Sequence, residues 1–275
     1  MSDSNISIVG KYIIENSNWA QRRVLHVFIV FLIIFLILGF YFYKKYQDSK
    51  IVAPSCNDKI MNQNEGGIDC EGECVKICRE HMSEIKVLYA KAISSGYNTY
   101  DLVAMIENDN VGKIPSSIPY IFRVYNGIGI EMASSTGKLD IADGVKMPLI
   151  VPNIHINNSD NPATTLYTTL ELGHYDMYPA VVHKEKVKVI DYRFDEDEKR
   201  LYVNLINSTL DNSEGVQVKV VISDHNGQTK AVGQTIVTSM ASGEKRQATI
   251  TWSESLKDIL NKNNTVQIYI VSDTK

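Results

Sequence analysis

The sequence predicts a mainly β fold that follows a single N-terminal transmembrane α-helix. Three observations support this prediction: an uncharged apolar run from Val24 to Tyr43, four cysteines that all fall between Cys56 and Cys78, and a series of short β-rich segments that begins near Ser83. With 275 residues, the chain is long enough for two small domains with their own cores once the helix is set aside.

The apolar run is interpreted as a membrane-spanning helix over residues 24–43. At 1.5 Å per residue it is about 30 Å long, which matches the hydrocarbon core of a bilayer. It contains no charge and one early imidazole, His26. A buried helix of a soluble core rarely runs this long without a polar face. Because Lys44 and Lys45 stand where a signal peptide would carry its small-residue cleavage site, we expect the helix to remain as an anchor.

The flanking charges do not decide the orientation, because two arginines before the span are balanced by two lysines after it. The cysteines favour one orientation, since clustered cysteines in even number fit an oxidising compartment. We therefore expect residues 1–23 to form a cytoplasmic tail, either a short interfacial helix or a disordered segment. Residues 44–275 are then extracytoplasmic, and the lipid bilayer is the one partner that the sequence indicates directly.

After a linker at residues 44–55, residues 56–80 form a cysteine-rich acidic module. This stretch has few large apolar side chains, so it needs crosslinks or a metal to hold its structure. We expect disulfides among Cys56, Cys70, Cys74 and Cys78, and three pairings are open. Oxygen-bearing side chains on a glycine-containing loop are what Ca²⁺ prefers, but a solvated loop without metal explains them equally well. They include Asp58, Asn62, Asn64, Glu65 and Asp69.

The module carries a resemblance. Its pattern C-x-D-x-x-x-N-x-x-E-x-x-x-D-C-x-G-x-C, from Cys56 to Cys74, resembles a cysteine-rich module often written CxDGxxNxxExGxDCGGxC. Such modules occur in secreted and cell-surface proteins, including single-pass bacterial membrane proteins of unknown function, where they often follow one transmembrane helix and precede immunoglobulin-like domains. The resemblance implies a surface location and a Ca²⁺ site formed by Asp58, Asn62, Glu65 and Asp69. Lys59 and Glu71 replace glycines of the pattern.

Short segments rich in β-branched and aromatic residues follow, and turn residues bound each of them. In the segment 216–223, Val216, Val218, Val220 and Ile222 alternate with other residues, which is typical of a half-buried strand. Asn126-Gly127 lies between two such segments and predicts a type I′ hairpin. The β segments that carry this prediction are 84–93, 99–107, 117–125, 164–172, 186–194, 200–207, 216–223, 247–252 and 266–271.

The β region repeats itself at an offset of roughly one hundred residues. Asn126-Gly127 recurs as Asn226-Gly227, and the strand end before Asn108 recurs before Asn207. Several strands per copy, with turn signals every 8 to 12 residues or so, predict two tandem immunoglobulin-like β-sandwiches. We place them at residues 81–182 and 183–275, with the boundary near 180–185. Neither copy contains a cysteine pair, so apolar packing must hold each core.

No catalytic motif stands out in the sequence, and we expect a protein that is not an enzyme. A copper or zinc site on the cysteines with His81 and Met82 does not fit well, because the cysteine spacing differs from the usual motifs and the compartment is oxidising. The histidines at 155, 174, 183 and 225 are scattered over predicted loops, and the acidic run 195–198 is expected to cap a solvated turn.

These observations predict a structural, adhesive or ligand-presenting role at the cell envelope. The partner would be an unknown envelope protein or a surface ligand. We expect no nucleic-acid partner, because the net charge of −4 provides no general basic field. The alternative is an accessory subunit of a membrane or secretion complex, in which the transmembrane helix itself binds the partner.

Overall fold

The computed structural model describes residues 3–48, 56–62, 64–156, 166–180, 187–195, 197–260 and 264–271. The chain divides into two compact units, Met1–Ser55 and Cys56–Lys275. The first unit is helical, and the second contains the disulfide-bonded module and all the strands. The protein is therefore mainly β with one N-terminal helix.

The N-terminal helix, α1, runs from Asp3 to Asp48. Within it, Arg22–Tyr46 is long and apolar enough to cross a membrane, with a mean hydropathy of 2.9 and no buried side chains. Of the two alternatives for residues 1–23, the helix is observed from Asp3 onward. The helix also enters the predicted linker, because Lys44, Lys45 and Tyr46 are compatible with helix and the first proline is Pro54.

The first sandwich consists of two three-stranded antiparallel sheets, ordered β1-β2-β6 and β5-β4-β7, and β3 pairs with β8 at its side. Its core lies between the two sheets and includes Leu102, Ile106, Phe122 and Leu149. The strands are β1 Lys86–Gly96, β2 Thr99–Glu107, β3 Lys113–Pro115, β4 Ile118–Tyr125, β5 Glu131–Leu139, β6 Lys146–His155, β7 Tyr167–Leu172 and β8 Met177–Pro179.

The second sandwich has the sheets β9-β10-β13 and β12-β11-β14, also antiparallel. Along β10, Leu201, Val203 and Leu205 alternate with partly exposed residues and enter the core, where they meet Val216 and Val218 of β11. The strands are β9 Val187–Phe194, β10 Arg200–Asn207, β11 Ser213–Ser223, β12 Thr229–Met240, β13 Lys245–Thr251 and β14 Thr265–Val271.

The two sandwiches have the same strand order. When β3 and β8 are set aside, the first, second and fifth strands of each copy form one sheet, and the third, fourth and sixth form the other. Equivalent strands begin roughly one hundred residues apart, as β2 at Thr99 and β10 at Arg200 show. The predicted boundary near 180–185 falls mainly on residues outside the described ranges, so the division at residue 182 stays a prediction.

An asparagine at the end of the second strand of each copy carries the same hydrogen bonds. Asn108 and Asn207 are fully buried. The Asn207 side-chain amide donates to the carbonyls of Asp211 and Met240 at 2.8 and 3.1 Å, and its oxygen accepts the N–H of Thr209. Asn108 likewise donates to two backbone carbonyls, one of them at the start of β3, and accepts the N–H of Asn110. Each asparagine therefore connects two separate segments at one end of its sandwich.

The two sandwiches also pack against each other. Sheet β1-β2-β6 meets sheet β12-β11-β14 through a third apolar cluster, which includes Val103, Met105, Val221 and Val232. The prediction of a half-buried strand at 216–223 was therefore incomplete. Val216, Val218, Val220 and Ile222 do share the core face, but the other face of β11 is also largely covered, because the first sandwich lies on it.

The predicted two-residue turn at Asn126-Gly127 was wrong. Five residues, Asn126 to Ile130, connect β4 to β5, and the residue with positive φ is Gly129. The Asn126 side-chain oxygen accepts the N–H groups of Ile128 and Ile130. In the second copy, Asp224 accepts from Asn226 and Gln228 in the same way. The equivalent turn residues are therefore Asn126 and Asp224, not the two Asn-Gly pairs.

Candidate functional site

The cysteine-rich module is closed by two disulfides, Cys56–Cys74 and Cys70–Cys78. Their sequence separations of 18 and 8 residues overlap, so the two bridges interlock the segment. Cys70, Cys74 and Cys78 are buried and supply most of the module's interior. Of the three open pairings, the structure has this one. The described part of the chain contains no free cysteine, so no thiolate is present there to bind copper or zinc.

Asp69 organises the first loop of the module. Its carboxylate accepts the backbone N–H groups of Asp58 and Lys59, each at 3.0 Å. The backbone at Lys59 has a φ of 62° and at Asp69 a φ of 56°, so the chain turns sharply at both residues. The predicted site residue Asp69 therefore works as a cap for the start of the module.

The other three predicted ligands continue this network. Asp58 accepts the N–H of Ile60 at 2.9 Å and the side-chain amide of Asn62 at 3.1 Å. One oxygen of the buried Glu65 accepts the N–H of Asn62 at 3.1 Å. The other carboxylate oxygen of Glu65 lies 3.2 Å from Cys74 Sγ. This contact is not a hydrogen bond, because the sulfur is in a disulfide and carries no proton. The structure thus brings all four predicted residues together in one hydrogen-bonded loop.

The arrangement of these oxygens bears on the calcium prediction. Within the described ranges, one group of three acidic, histidine or cysteine side chains has ligand atoms that all lie within 4.8 Å of one another. This group is Cys56, Glu65 and Cys74. Two of its three ligand atoms are sulfurs already bonded to each other. The side-chain oxygen of Asn62 is buried and accepts no hydrogen bond from the described residues. Calcium binding by Asp58, Asn62, Glu65 and Asp69 therefore stays a prediction.

The backbone explains the glycines of the resembled pattern. Lys59 and Glu71 replace glycines of that pattern, and both have positive φ, 62° and 57°. Only glycine adopts this region without steric cost. At Gly72, φ is 61°, and an added Cβ would lie 1.8 Å from the carbonyl oxygen of Asn64. The glycines of the pattern therefore lie where the backbone of the module needs a positive φ. At two of these turns this chain has a residue with a side chain, Lys59 or Glu71, in place of glycine.

Glu71, which has one of these positive φ angles, makes both side-chain and backbone contacts that hold the turn. Its carboxylate lies 2.8 Å from Nδ1 of His81. The hydrogen bond from His81 and its charge lower the pKa of Glu71, against a smaller opposing effect of desolvation. The Glu71 N–H also donates to the carbonyl of Lys76 at 2.7 Å, and its carbonyl accepts from Cys74 at 2.9 Å. Glu71 thereby connects the second turn of the module to the 3-10 helix Arg79–His81.

The module is docked on the first sandwich. The N–H of Ile77 donates to the carbonyl of Met177 at 2.8 Å, so the module adds a bridge to strand β8. Lys76 and Asp176 form an ion pair at 3.0 Å beside this bridge. Just after the module, the N–H of Ile85 donates to the hydroxyl of Tyr175 at 2.9 Å. These contacts fix the module to the sandwich as a continuation of its surface.

The remaining candidates are four histidines and the acidic run 195–198, and one of them, His174, lies 3.8 Å from Asp176, the partner of Lys76. His155, His174 and His225 belong to no group of three metal-ligating side chains in the described residues, and His183 lies outside the described ranges. Asp195 caps its turn as predicted for the acidic run, since its carboxylate accepts the N–H groups of Lys199 and Arg200. Sequence reasoning missed the buried Lys219, because its burial depends on the packing between the two sandwiches.

The comparisons with known proteins supply no family. No family model matches the chain, and no curated protein matches it. Among solved structures, red sea bream transglutaminase is 11% identical with a TM-score of 0.24, and the match covers 70% of this chain and 30% of the transglutaminase chain. A beta-glucuronidase from glycoside hydrolase family 2 is 12% identical with a TM-score of 0.21, and the match covers 82% of this chain and 28% of the glucuronidase chain. The chain thus spans less than a third of either protein, and at these TM-scores the likeness carries no argument.

Proposed function

We propose that this chain is a membrane-anchored extracytoplasmic protein with a structural, adhesive or ligand-presenting role at the cell envelope. The observation that carries the proposal is the helix segment Arg22–Tyr46, whose apolar side chains are exposed over their whole length. In water this surface would be strongly unfavourable, whereas in a bilayer it is matched to its surroundings. Retention of this helix makes the rest of the chain a tethered ectodomain.

The disulfides support the extracytoplasmic orientation. Two bridges in a segment with little apolar core fit a compartment in which thiols are oxidised. The same segment would lose its crosslinks in a reducing cytosol. The long C-terminal part is also free to translocate, since large domains cross largely regardless of flanking charge.

The packing of the two sandwiches supports a presenting role. Tyr89 and Thr229 join the two copies by a hydroxyl contact of 3.0 Å, and Ser253 donates to the carbonyl of Ser95 at 2.5 Å. Together with the apolar cluster around Val103 and Val221, these contacts join the two sandwiches in one compact unit. A compact scaffold of this kind suits the presentation of loops.

A tag experiment tests the anchor. The full chain is produced with different epitope tags at its two ends, and membranes are washed with alkaline carbonate. We expect both tags on one band that stays in the membrane pellet. Loss of the N-terminal tag from the mature band would show a cleaved signal sequence, and release of the intact chain by carbonate would show that the helix does not span the bilayer. Either result would overturn the proposal.

Calcium binding belongs to the same proposal and has its own test. Isothermal titration of Ca²⁺ into the oxidised full chain is compared with the variant Asp58→Asn, which keeps the side-chain oxygen and removes the charge. Binding by the wild type that is lost in Asp58→Asn supports the site. Absence of heat in the wild type, or equal binding by the variant, contradicts it.

The length of α1 favours a second candidate, an accessory subunit of a membrane or secretion complex. At 46 residues the helix is about 70 Å long, roughly twice what the hydrocarbon core needs. In this candidate the transmembrane helix itself binds the partner, and the turns before the span lengthen the segment available for that contact. Photo-crosslinking from positions in 3–20 in intact membranes distinguishes the candidates, because a stoichiometric partner favours the subunit and its absence favours the anchor alone.

A further inference from the structure

A cleft of about 760 Å³ lies where the first sandwich meets the β12-β11-β14 sheet of the second. Strand β6 and the β5–β6 connection form one wall, and β11 and β12 form the other. Most of its side chains are apolar, among them Ile141, Met147, Leu149 and Ile150. A cavity of this size with an apolar lining is typical of small-molecule sites, which add a few polar groups to orient the ligand.

One cation is buried in this lining. Lys219, in the middle of β11, is 5% exposed. Its Nζ donates to the carbonyl of Pro148 at 3.2 Å, the single acceptor that the described residues provide, and no carboxylate there forms an ion pair with it. An ammonium has three N–H donors, so two of them lack a protein acceptor. Desolvation lowers the pKa of Lys219 to about 8, which reflects the cost of holding this charge in the cleft.

The position of Lys219 does not require a charged residue for packing, so the desolvation cost of its ammonium points to a role for the charge. Its neighbour on the same face of β11 is Val221, which fills the apolar contact between the sandwiches. An aliphatic residue at 219 would extend that contact at no electrostatic cost. The cross-strand neighbour of Lys219 is Gln234, whose amide lies 3.5 Å from the carbonyl of Ile150. The other polar residues of the lining are Gln217, Thr235 and, on its exposed edge, Lys138 and Asp140. The cleft therefore combines an apolar surface with a cation whose donors are incompletely used.

We propose that this cleft binds a small amphiphilic anion, a carboxylate with an aliphatic chain, with its head group on Lys219 and its chain on the lining of Met147, Leu149 and Ile150. The carboxylate would accept the unused N–H groups in charge-assisted hydrogen bonds, which are the strong ones in a poorly solvated site. The chain would cover apolar surface that now faces the cleft. A neutral or cationic amphiphile would leave the ammonium without an acceptor and would bind more weakly.

The test uses octanoate and octanol, which share a chain and differ in charge. The full chain is labelled with ¹³C-methyl methionine and placed in lipid nanodiscs. The methyl signal of Met147 is assigned with the variant Met147→Leu. This signal reports occupancy of the cleft independently of partition of the compounds into lipid. We expect octanoate to shift this signal with a Kd at least about tenfold lower than that of octanol, as a charged hydrogen bond provides. The variant Lys219→Met should bind both compounds alike, and Lys138→Met, at the exposed rim, should behave as the wild type.

A second readout on the wild type keeps the proposal testable if Lys219→Met does not fold. The pKa of Lys219 is followed by the pH dependence of its side-chain ¹³Cε signal, and it should rise when octanoate is bound, because a paired ammonium is harder to deprotonate. Equal affinity for octanoate and octanol, an unchanged Lys219 pKa, or no shift of the Met147 signal up to the solubility of octanoate would each overturn the proposal.

Discussion

Cysteine sulfur fills the interior of the module, whereas branched aliphatic side chains fill the interior of the second sandwich. The module buries Cys70, Cys74 and Cys78 together with one carboxylate, Glu65. The second sandwich contains no cysteine and buries leucine, valine and isoleucine from both of its sheets. A short polar segment is thus held by covalent closure of its loops, and a longer alternating one by removal of apolar surface from water. Perturbations of one kind should affect one region and not the other.

The largest expected effect is a cavity in the second sandwich. Leu205 is fully buried, and Leu205→Ala should lower the free energy of unfolding by about 3 kcal/mol, because both the transfer energy and the packing around the lost atoms disappear. Leu210 is 95% exposed and provides the matched control, for which we expect a change within about 0.5 kcal/mol. Urea denaturation followed by circular dichroism measures both. Equal effects of the two variants would show that the core is placed wrongly.

Removal of one disulfide should affect the module alone. The double variant Cys70→Ala/Cys78→Ala is expected to destabilise the module by about 2–3 kcal/mol, because it frees a loop that has little other support. Hydrogen exchange then accelerates at the amides of Glu71 and Cys74, which donate inside the module, while amides of β10 keep their protection. Faster exchange throughout the second sandwich would contradict the separation of the two regions.

The buried asparagines test whether the sandwiches rely on apolar packing alone. Asn207→Ala removes the side-chain donor to the carbonyls of Asp211 and Met240 and the acceptor of the Thr209 N–H, and it should cost about 2 kcal/mol. Asn226→Ala, in an exposed turn, should change stability by less than about 0.5 kcal/mol. Thermal unfolding at matched pH gives the comparison. A cost for Asn207→Ala no larger than that of Asn226→Ala would mean that these loops are held by other contacts.

The smallest expected effect concerns backbone strain in the module. Lys59→Gly should stabilise the module by about 1 kcal/mol, because glycine accepts the positive φ at this position and keeps the N–H that Asp69 accepts. Lys59→Ala retains the Cβ and serves as the control without gain. Exchange rates of the module's amides report the difference. A variant with glycine that is less stable than the one with alanine would show that the turn is not strained.

The strands that the sequence predicted best lie where one face is buried by its own sandwich. For β2 and β10 the predicted and observed bounds agree, at 99–107 and 200–207, because alternation and turn residues specify such strands locally. The burial of the second face of β11 was missed, since it depends on packing against β2 and β6 of the other sandwich, which are distant in sequence. The turn at Asn126 was missed because the asparagine side chain caps a five-residue loop instead of entering a two-residue turn.

In the candidate site, too, locally specified features were predicted from the sequence, and features that depend on the folded backbone were not. Composition alone indicated that residues 56–80 need crosslinks or a metal. The four residues predicted as calcium ligands lie in one hydrogen-bonded loop, but the carboxylates of Asp58, Glu65 and Asp69 do not form a group within 4.8 Å of one another, so the metal site stays a prediction. The pairing of the cysteines could not be predicted, because spacing leaves all three pairings open. The role of Asp69 as a cap for the N–H groups of Asp58 and Lys59 also required the backbone geometry, which gives these acidic residues a structural reason independent of any metal.

The account depends most on an oxidised module outside the membrane, and thiol labelling of intact cells measures this directly. Cells that produce the full chain are treated with a maleimide-polyethylene glycol that does not cross the membrane, with and without prior exposure to an impermeant reductant. We predict no mass shift without the reductant and a shift of up to four labels after it, one for each cysteine. A chain that stays unlabelled until the cells are lysed, and is then labelled without reductant, would place the module reduced in the cytosol and contradict the account.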